Sequence, residues 1–468
     1  MLLSRTLRYL PAQLVGPLAQ FAAVVIWTHL LPPAAYGTVA LVLALQELVS
    51  QICLGWWSSY MLRYAAAVGE DARERQGAHE NVVLLGSSAL QIGLALAVLA
   101  LGDTALTPDL VAAALAYTVS RGLMTHMAER ARAAGAILTY TVAQTAGPVL
   151  GLVLAIALVK AVPTASAALA GFAVAQIAIL PFLWWKVVPS RALAFDGSSL
   201  RRAVVFSAPL VAGSAVGWAV VNGIRVIVEH VDGAAAVGLL SVGWGLGQRL
   251  TSVAAMLVTA AAFPIAVERM VRSGPEAAYA QVGRNGVLLL AILMPATAGI
   301  VCLTPALVDL LIGPEFREAT RVLLPVATLA AAVRNLRVHF IDQVFLLCER
   351  PRVLLEITLI EAVVTLGGCW FGLVQGGLLG ACLGCLAGSV VGFLVCGWRA
   401  YREGLRLPLL PVCKVGLATG AMVAALVLAP AFPGKLGLAV TVAGAAGLYF
   451  AVMGLLFRDA WPLRRQPA

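Results

Sequence analysis

Five arginines stand inside long apolar stretches of the chain: Arg121, Arg225, Arg249, Arg334 and Arg337. Four acids share that setting: Glu47, Asp342, Glu356 and Glu361. A charge held in hydrocarbon is costly, so ionisable groups in such stretches mark a ligand path or a partner charge. Arg121, Arg249, Arg334 and Glu47 fall near the midpoints of their stretches, where snorkelling to water is hardest. Arg334 and Arg337 are three residues apart, so about 60° apart on one helical face, and make a dicationic rung one turn tall. Asp342, about 80° round from Arg334, is placed to neutralise it. Arg225 and Glu356 lie close enough to a helix end to reach the interface. One reading pairs these arginines with Glu47 and Glu361 across helices. Against it, central cations outnumber central acids, and an unpaired arginine requires water or an anionic ligand. Guanidinium forks suit phosphate oxygens through bidentate, charge-assisted bonds. The expected anion-binding set is Arg121, Arg249, Arg334 and Arg337, with Arg225 a further member.

Other chemistry-bearing residues have plainer readings. His126 and His339 follow Arg121 and Arg334 by five residues, about 140° round the helix, and read as packing residues before pH sensors. Trp56, Trp57, Tyr60, Trp184 and Trp185 form an interfacial aromatic belt before a sugar platform. Cys382-Leu-Gly-Cys385 sits in a Gly-rich apolar run without a second ligand pair, so it reads as small-residue helix packing. Gly243-Trp-Gly245-Leu-Gly247 lacks the strand that a dinucleotide site needs. There is no phosphate-loop lysine motif, zinc-helix motif or acidic metal cluster, and no polar domain large enough to house catalysis. The expectation is a non-enzyme without a resident cofactor or metal.

The elements that must position these residues are membrane helices. Of the 468 residues 61% are apolar and 12% charged, about half the ~25% charge of soluble domains. The mean hydropathy is +0.94, which excludes both a water-soluble globule and a disordered chain. Spans of about 20 apolar residues lie near 9–31, 36–61, 82–101, 110–128, 136–159, 166–185, 203–228, 237–264, 285–308, 319–346, 353–374, 378–398, 410–430 and 436–457. Only Gln375-Gly376-Gly377 separates the eleventh from the twelfth. Strand-like alternation is absent, so the spans are helical. The first is too long for a signal peptide and is retained. Of the 32 basic residues, 23 collect on one side and four at most on the other. This asymmetry places both termini in the cytoplasm. The net charge of +10 is then a topology feature facing anionic lipid, not a nucleic-acid surface. Eight cysteines, mostly within apolar runs, read as packing residues.

The polar stretch 190–202 divides six helices from eight. The expected organisation is a 1–189 lobe, that linker, a 203–400 lobe, and accessory helices with a cytoplasmic tail over 401–468. The lobes echo each other. Ala34-Ala35-Tyr36-Gly37 matches Ala235-Ala236-Val237-Gly238, and Gln46-Glu47-Leu48 answers Gln248-Arg249-Leu250. Arg121-Gly-Leu-Met-Thr-His126 matches Arg334-Asn-Leu-Arg-Val-His339. Six helices per repeat is an even number, so the repeats run parallel about the membrane normal. The fold class is all-α, polytopic, with two pseudo-symmetric six-helix lobes around a central cavity and two accessory helices.

Several motifs resemble those of the oligosaccharide flippases, which move O-antigen and exopolysaccharide repeat units and belong to the multidrug/oligosaccharidyl-lipid/polysaccharide exporter superfamily. Thr28-His-Leu-Leu-Pro-Pro-Ala-Ala-Tyr-Gly37 resembles the family's first loop, with His29 in place of arginine. Leu62-Arg63-Tyr64 resembles its motif after helix two, and Ala236-Val237-Gly238-Leu239-Leu240-Ser241 its entry to helix eight. Ile312-Gly313-Pro314-Glu315-Phe316 resembles the turn before helix ten, and Gly377–Ala381 the glycine-rich entry to helix twelve. Ile224 precedes Arg225 where the family often has aspartate. The resemblance covers roughly residues 9–400. It implies flipping of an undecaprenyl-pyrophosphate-linked oligosaccharide across a bacterial inner membrane by alternating access, coupled to protons or sodium. The arginine set would hold the pyrophosphate, with Glu47, Asp342 or Glu361 as the coupling acid. Partners would be the lipid-linked oligosaccharide, membrane lipids and polysaccharide polymerase or export machinery. Rival readings are a drug/cation antiporter of the same fold, disfavoured by midspan arginine, a membrane glycosyl polymerase, and an export-complex scaffold.

Overall fold

The computed structural model describes residues 2–64, 70–101, 107–428 and 434–458; Arg464 and Arg465 of the expected tail lie outside them. Among the described residues there is helix and no strand, as buried backbone polar groups in lipid require. The chain packs as two compact units, Met1–Ser241 and Val242–Ala468.

The first unit holds α1 (Leu2–Leu30), α2 (Pro33–Ser50), α3 (Trp56–Tyr64), α4 (Glu70–Leu101), α5 (Pro108–Ala133), α6 (Ile137–Ala161), α7 (Ala165–Val187) and the start of α8 (Gly197–Leu311). Helices α2 and α3 are one span interrupted by a π turn over Gln51–Gly55. Helix α5 is the hub, touching α2, α4, α6 and α7, and α1 lies on α6. Small residues let the backbones approach: a Cβ on Gly171 would lie 2.3 Å from the Ala155 backbone. The matched Gly37 and Gly238 meet each other, for a Cβ on Gly37 would sit 2.7 Å from the Gly238 nitrogen. One echo between the halves is therefore a contact seam.

The second unit holds the rest of α8, then α9 (Pro314–Leu336), α10 (Asp342–Leu347), α11 (Pro351–Glu403), α12 (Leu409–Leu428) and α13 (Gly434–Leu456). A second π turn, Arg337–Ile341, joins α9 to α10. Helix α11 turns at Gly376 and Gly377, the latter with φ of +59°, where a residue bearing Cβ would be strained. Its two arms then run against each other at Gly368 with Gly384 and Gly372 with Gly380. Helices α12 and α13 share the cluster of Ala418, Met422, Ala445 and Tyr449, and Tyr449 donates to the Ala291 carbonyl of α8 at 2.6 Å.

Nine helical stretches among the described residues are long and apolar enough to cross a membrane. Several hold more than one crossing. Helix α8 is 115 residues long and is broken at Gly233 (φ +76°) and Gly274 (φ +81°). Those breaks delimit the seventh, eighth and ninth expected spans. The turn at Gly376 and Gly377 separates the eleventh from the twelfth, so the helices accommodate fourteen crossings. Outward-facing side chains such as Leu138, Val271, Phe450 and Leu428 are largely exposed, which suits a lipid surround.

Candidate functional site

In the first unit, the midspan charges come from α2, α5 and α8. Glu47 on α2 is exposed and accepts from Asn222 Nδ2 at 3.5 Å. Arg225 donates from Nη1 to Asn222 Oδ1 at 2.5 Å and from Nε to Ser241 Oγ at 3.2 Å. Acid, amide, guanidinium and hydroxyl thus form one chain from α2 into α8. Arg225, close enough to a helix end to reach the interface and also a candidate anion ligand, is held beside the buried Asn222. The indole of Trp218 donates to the Ala44 carbonyl at 2.8 Å, one turn before Glu47. Arg121 on α5 is half-buried. Tyr117, one turn earlier, lies in the fields of both Arg121 and Glu47. Arg121 makes no ion pair or side-chain hydrogen bond with a described residue.

In the second unit, α9, the π turn, α10 and α11 assemble a compact cluster. Arg337 Nη1 stands 2.7 Å from Glu361 Oε2, both side chains nearly inaccessible, and Arg337 Nε lies 3.8 Å from Asp342 Oδ2. Cys396 donates to Asp342 Oδ1 at 3.2 Å. Arg334 lies in the fields of Glu361, Arg337 and Asp342, and its Nη1 is buried without a hydrogen-bond partner. Asp342, placed by the sequence as a neighbour of Arg334, lies in the fields of both arginines and forms its ion pair with Arg337. The π turn beginning at Arg337 changes the residues-per-turn count between them, so the 100° spacing of a regular helix does not apply. His339, within that turn, bonds through Nδ1 to Thr259 Oγ1 of α8 at 2.9 Å. Arg249 is half-buried on α8, with Gly245 beneath it, and it too has no ion pair or hydrogen bond among the described residues. Glu356, read as interfacial, pairs with Arg399 at 2.6 Å in an exposed setting.

One buried acid went unread in the sequence. Glu80 fell just before the third expected span, but α4 begins ten residues earlier, and Glu80 is fully buried. It meets His126 and Arg130 of α5. The consecutive polar residues His79-Glu80-Asn81 ahead of an apolar run were the available clue.

The membrane-helical fold is shared with solved transporters. A structure described as "Lipid II flippase MurJ, inward closed conformation" aligns over 98% of this chain and 99% of its own, with TM-score 0.79 and 10% identity. A structure of the MATE multidrug transporter DinF-BH aligns over 86% and 95%, with TM-score 0.56 and 15% identity. The inward-facing conformation of a multidrug resistance MATE family transporter of the MOP superfamily aligns over 85% and 98%, with TM-score 0.56 and 15% identity. At such identities the likeness is one of fold. No curated protein matches the chain by sequence. The family described as "Polysaccharide biosynthesis protein" matches residues 88–321, half of the chain. The protein is a multi-pass membrane protein and belongs to that polysaccharide biosynthesis family.

Proposed function

We propose that the protein flips an undecaprenyl-pyrophosphate-linked oligosaccharide from the cytoplasmic to the periplasmic leaflet of a bacterial inner membrane by alternating access, for surface or exopolysaccharide synthesis. The observation that carries this reading is a pair of midspan arginines, Arg121 and Arg249, one in each unit. Each is half-buried and free of ion pairs with described residues. A midspan guanidinium without a protein counter-charge is suited to an anion. Arg334 is a further candidate within the second unit, with Nη1 lacking a hydrogen-bond partner beside Glu361 and Asp342. Arg337 completes the cationic rung while Glu361 holds it in place, and Arg225 lines the path at the end of the Glu47 chain. The family's polysaccharide role supplies the pathway, and a fold shared with a named lipid II flippase supports a lipid-linked cargo. The 23-to-4 basic asymmetry supports cytoplasmic termini.

Coupling to protons or sodium would act through Glu47, Asp342 or Glu361. Glu361 and Asp342 face Arg337, and Glu47 reaches Arg225 through Asn222, so neutralising an acid would loosen an arginine from its anchor. The partners are the lipid-linked oligosaccharide, the surrounding lipids and a polysaccharide polymerase or export complex. The test is flipping of a lipid-pyrophosphate oligosaccharide in proteoliposomes. The Arg121→Ala/Arg249→Ala protein should be inactive at normal abundance and thermal stability. Full activity of that double variant would overturn the reading.

A further inference from the structure

A second polar site lies in the first unit, away from the midspan arginines. A cavity of about 280 Å³ opens between α2, α3 and α5, lined by Gln51, Ser58, Ser59, Thr125, His126 and Glu129 among others. In its wall, Ser58 Oγ lies 2.8 Å from His126 Nδ1, and His126 Nε2 lies 2.8 Å from Glu80 Oε1. The imidazole is 1% exposed and Glu80 0%, so hydroxyl and ring form a hydrogen-bonded route from the cavity to the buried carboxylate.

We propose that His126, held between Ser58 and Glu80, is a proton-binding site loaded from this cavity. It rests on the transport reading only in the use the cell makes of the proton. The hydrogen bonding suits both charge states. In the neutral ring Nε2–H donates to Glu80 and Nδ1 accepts from the Ser58 hydroxyl. A proton arriving at Nδ1 turns that bond round: the ring donates to Ser58 Oγ, and the hydroxyl hydrogen swings toward the cavity. No bond is lost on loading, and Glu80 Oε2, which lacks a hydrogen-bond partner, remains to accept another.

The surrounding charges are few. Arg130 Nε lies 3.0 Å from Glu80 Oε1, and Glu129 is tied to Arg132 at 2.5 Å. On α4, His79 is engaged elsewhere, with the backbone N–H of Asp196 3.1 Å from its Nδ1. The ionisable residues of α3 also have other contacts, Tyr60 against Trp57 and Arg63 over Tyr64 and Phe206. Helices α6 and α7, packed on α5, bring the buried Tyr140 and the exposed Lys160 and Lys186. Asp196 caps α8 through Ser198 and Ser199. Glu80 is thus the one carboxylate in contact with the ring among the described residues.

The residues flanking Glu80 give the proton a lever. Asn81 Nδ2 donates to the Ser190 and Ala192 carbonyls at 3.1 and 2.9 Å, and Ala194 N–H donates to the Ala78 carbonyl at 3.1 Å. With the His79 bond to Asp196, three neighbours of Glu80 on α4 hold the 190–196 linker that leads into α8. A change of charge at Glu80's partner is felt by the same turn that grips the linker.

The experiment is nitrogen-15 NMR of the full-length, histidine-labelled protein in lipid bilayers from pH 5 to 9, with His126→Gln assigning the resonance among five histidines. The expected result is an Nδ1 signal that converts from bare to protonated during the titration and that responds differently in the milder Ser58→Ala protein. A His126 ring with one tautomer and one charge throughout would overturn the proposal. In proteoliposomes, an imposed pH gradient should accelerate flipping less in His126→Gln than in the native protein, as a ratio of driven to undriven rates. Equal acceleration of both would also overturn it. Absence of flipping in the native protein would sink the transport reading alone, leaving the NMR titration to decide the proton site.

Discussion

The two units treat Arg337 and Arg121 differently, and Arg249 of the second unit resembles Arg121 in having no ion pair among the described residues. In the second, Arg337 is sealed against Glu361 with Asp342 beside it, nearly dry and nearly neutral. In the first, Arg121 stands half-buried without an ion pair among the described residues, and Arg225 and Glu47 are linked through an amide. A buried ion pair is costly to break, because the orphaned charge has no water. Removing an arginine that has no ion pair orphans no carboxylate and forfeits only the packing of its stem. The same residue type is therefore locked in a closed ion pair at Arg337 and left without one among the described residues at Arg121.

The largest effect expected is at the closed ion pair. Glu361→Ala should destabilise the protein by up to about 3–5 kcal/mol by removing the nearer acid of buried Arg337 and leaving it only Asp342 at 3.8 Å, read as a lowered unfolding temperature in detergent and reduced membrane abundance. Adding Arg337→Met should recover most of that loss. A stable Glu361→Ala protein would erase the contrast. Next come Arg121→Ala and Arg249→Ala. Losing a hydrogen bond to a charged group, worth about 1.5–3 kcal/mol, should weaken binding of a lipid pyrophosphate roughly 10- to 150-fold. The unfolding temperature should stay put, which equilibrium binding and a thermal melt on the same sample would check.

The seam of the first unit sharpens the comparison further. A Cβ on Gly37 would fall on the Ala234 carbonyl oxygen, so Gly37→Ala should cost about 1–3 kcal/mol by overpacking. Gly86→Ala, inside α4 with nothing within 4 Å, should leave the same melt unchanged or raise it slightly, by up to about 1 kcal/mol. The smallest effect concerns the start of α8. Hydrogen bonds from Ser199 and Ser198 hold the Asp196 carboxyl below the usual carboxylate range. A depressed folded-state value means the cap's contribution is full above the unfolded pKa and fades as pH falls toward the folded one. Hydrogen exchange in the first turn of α8 should be slower at pH 7 than Asp196→Ala allows, with the two converging in acid.

Much of the architecture was legible in the residues themselves. Apolar runs of span length, broken at Gly233, Gly274 and Gly376-Gly377, report their own boundaries, since lipid admits only helix and a glycine at positive φ ends one. The identity of the exceptional residues was legible too, because a charge in hydrocarbon stands out against its neighbours. Pairing was not. Asp342 reached Arg337 through a π turn that regular periodicity does not anticipate, and Glu80 entered the interior because α4 extends past its apolar run. The partners of Arg225, Asn222 and Ser241, were likewise not given by its position along the chain. Composition along one chain determines which groups must be satisfied; which partner satisfies each depends on the distances between helices and on local changes of helical phase, which only the packed structure decides.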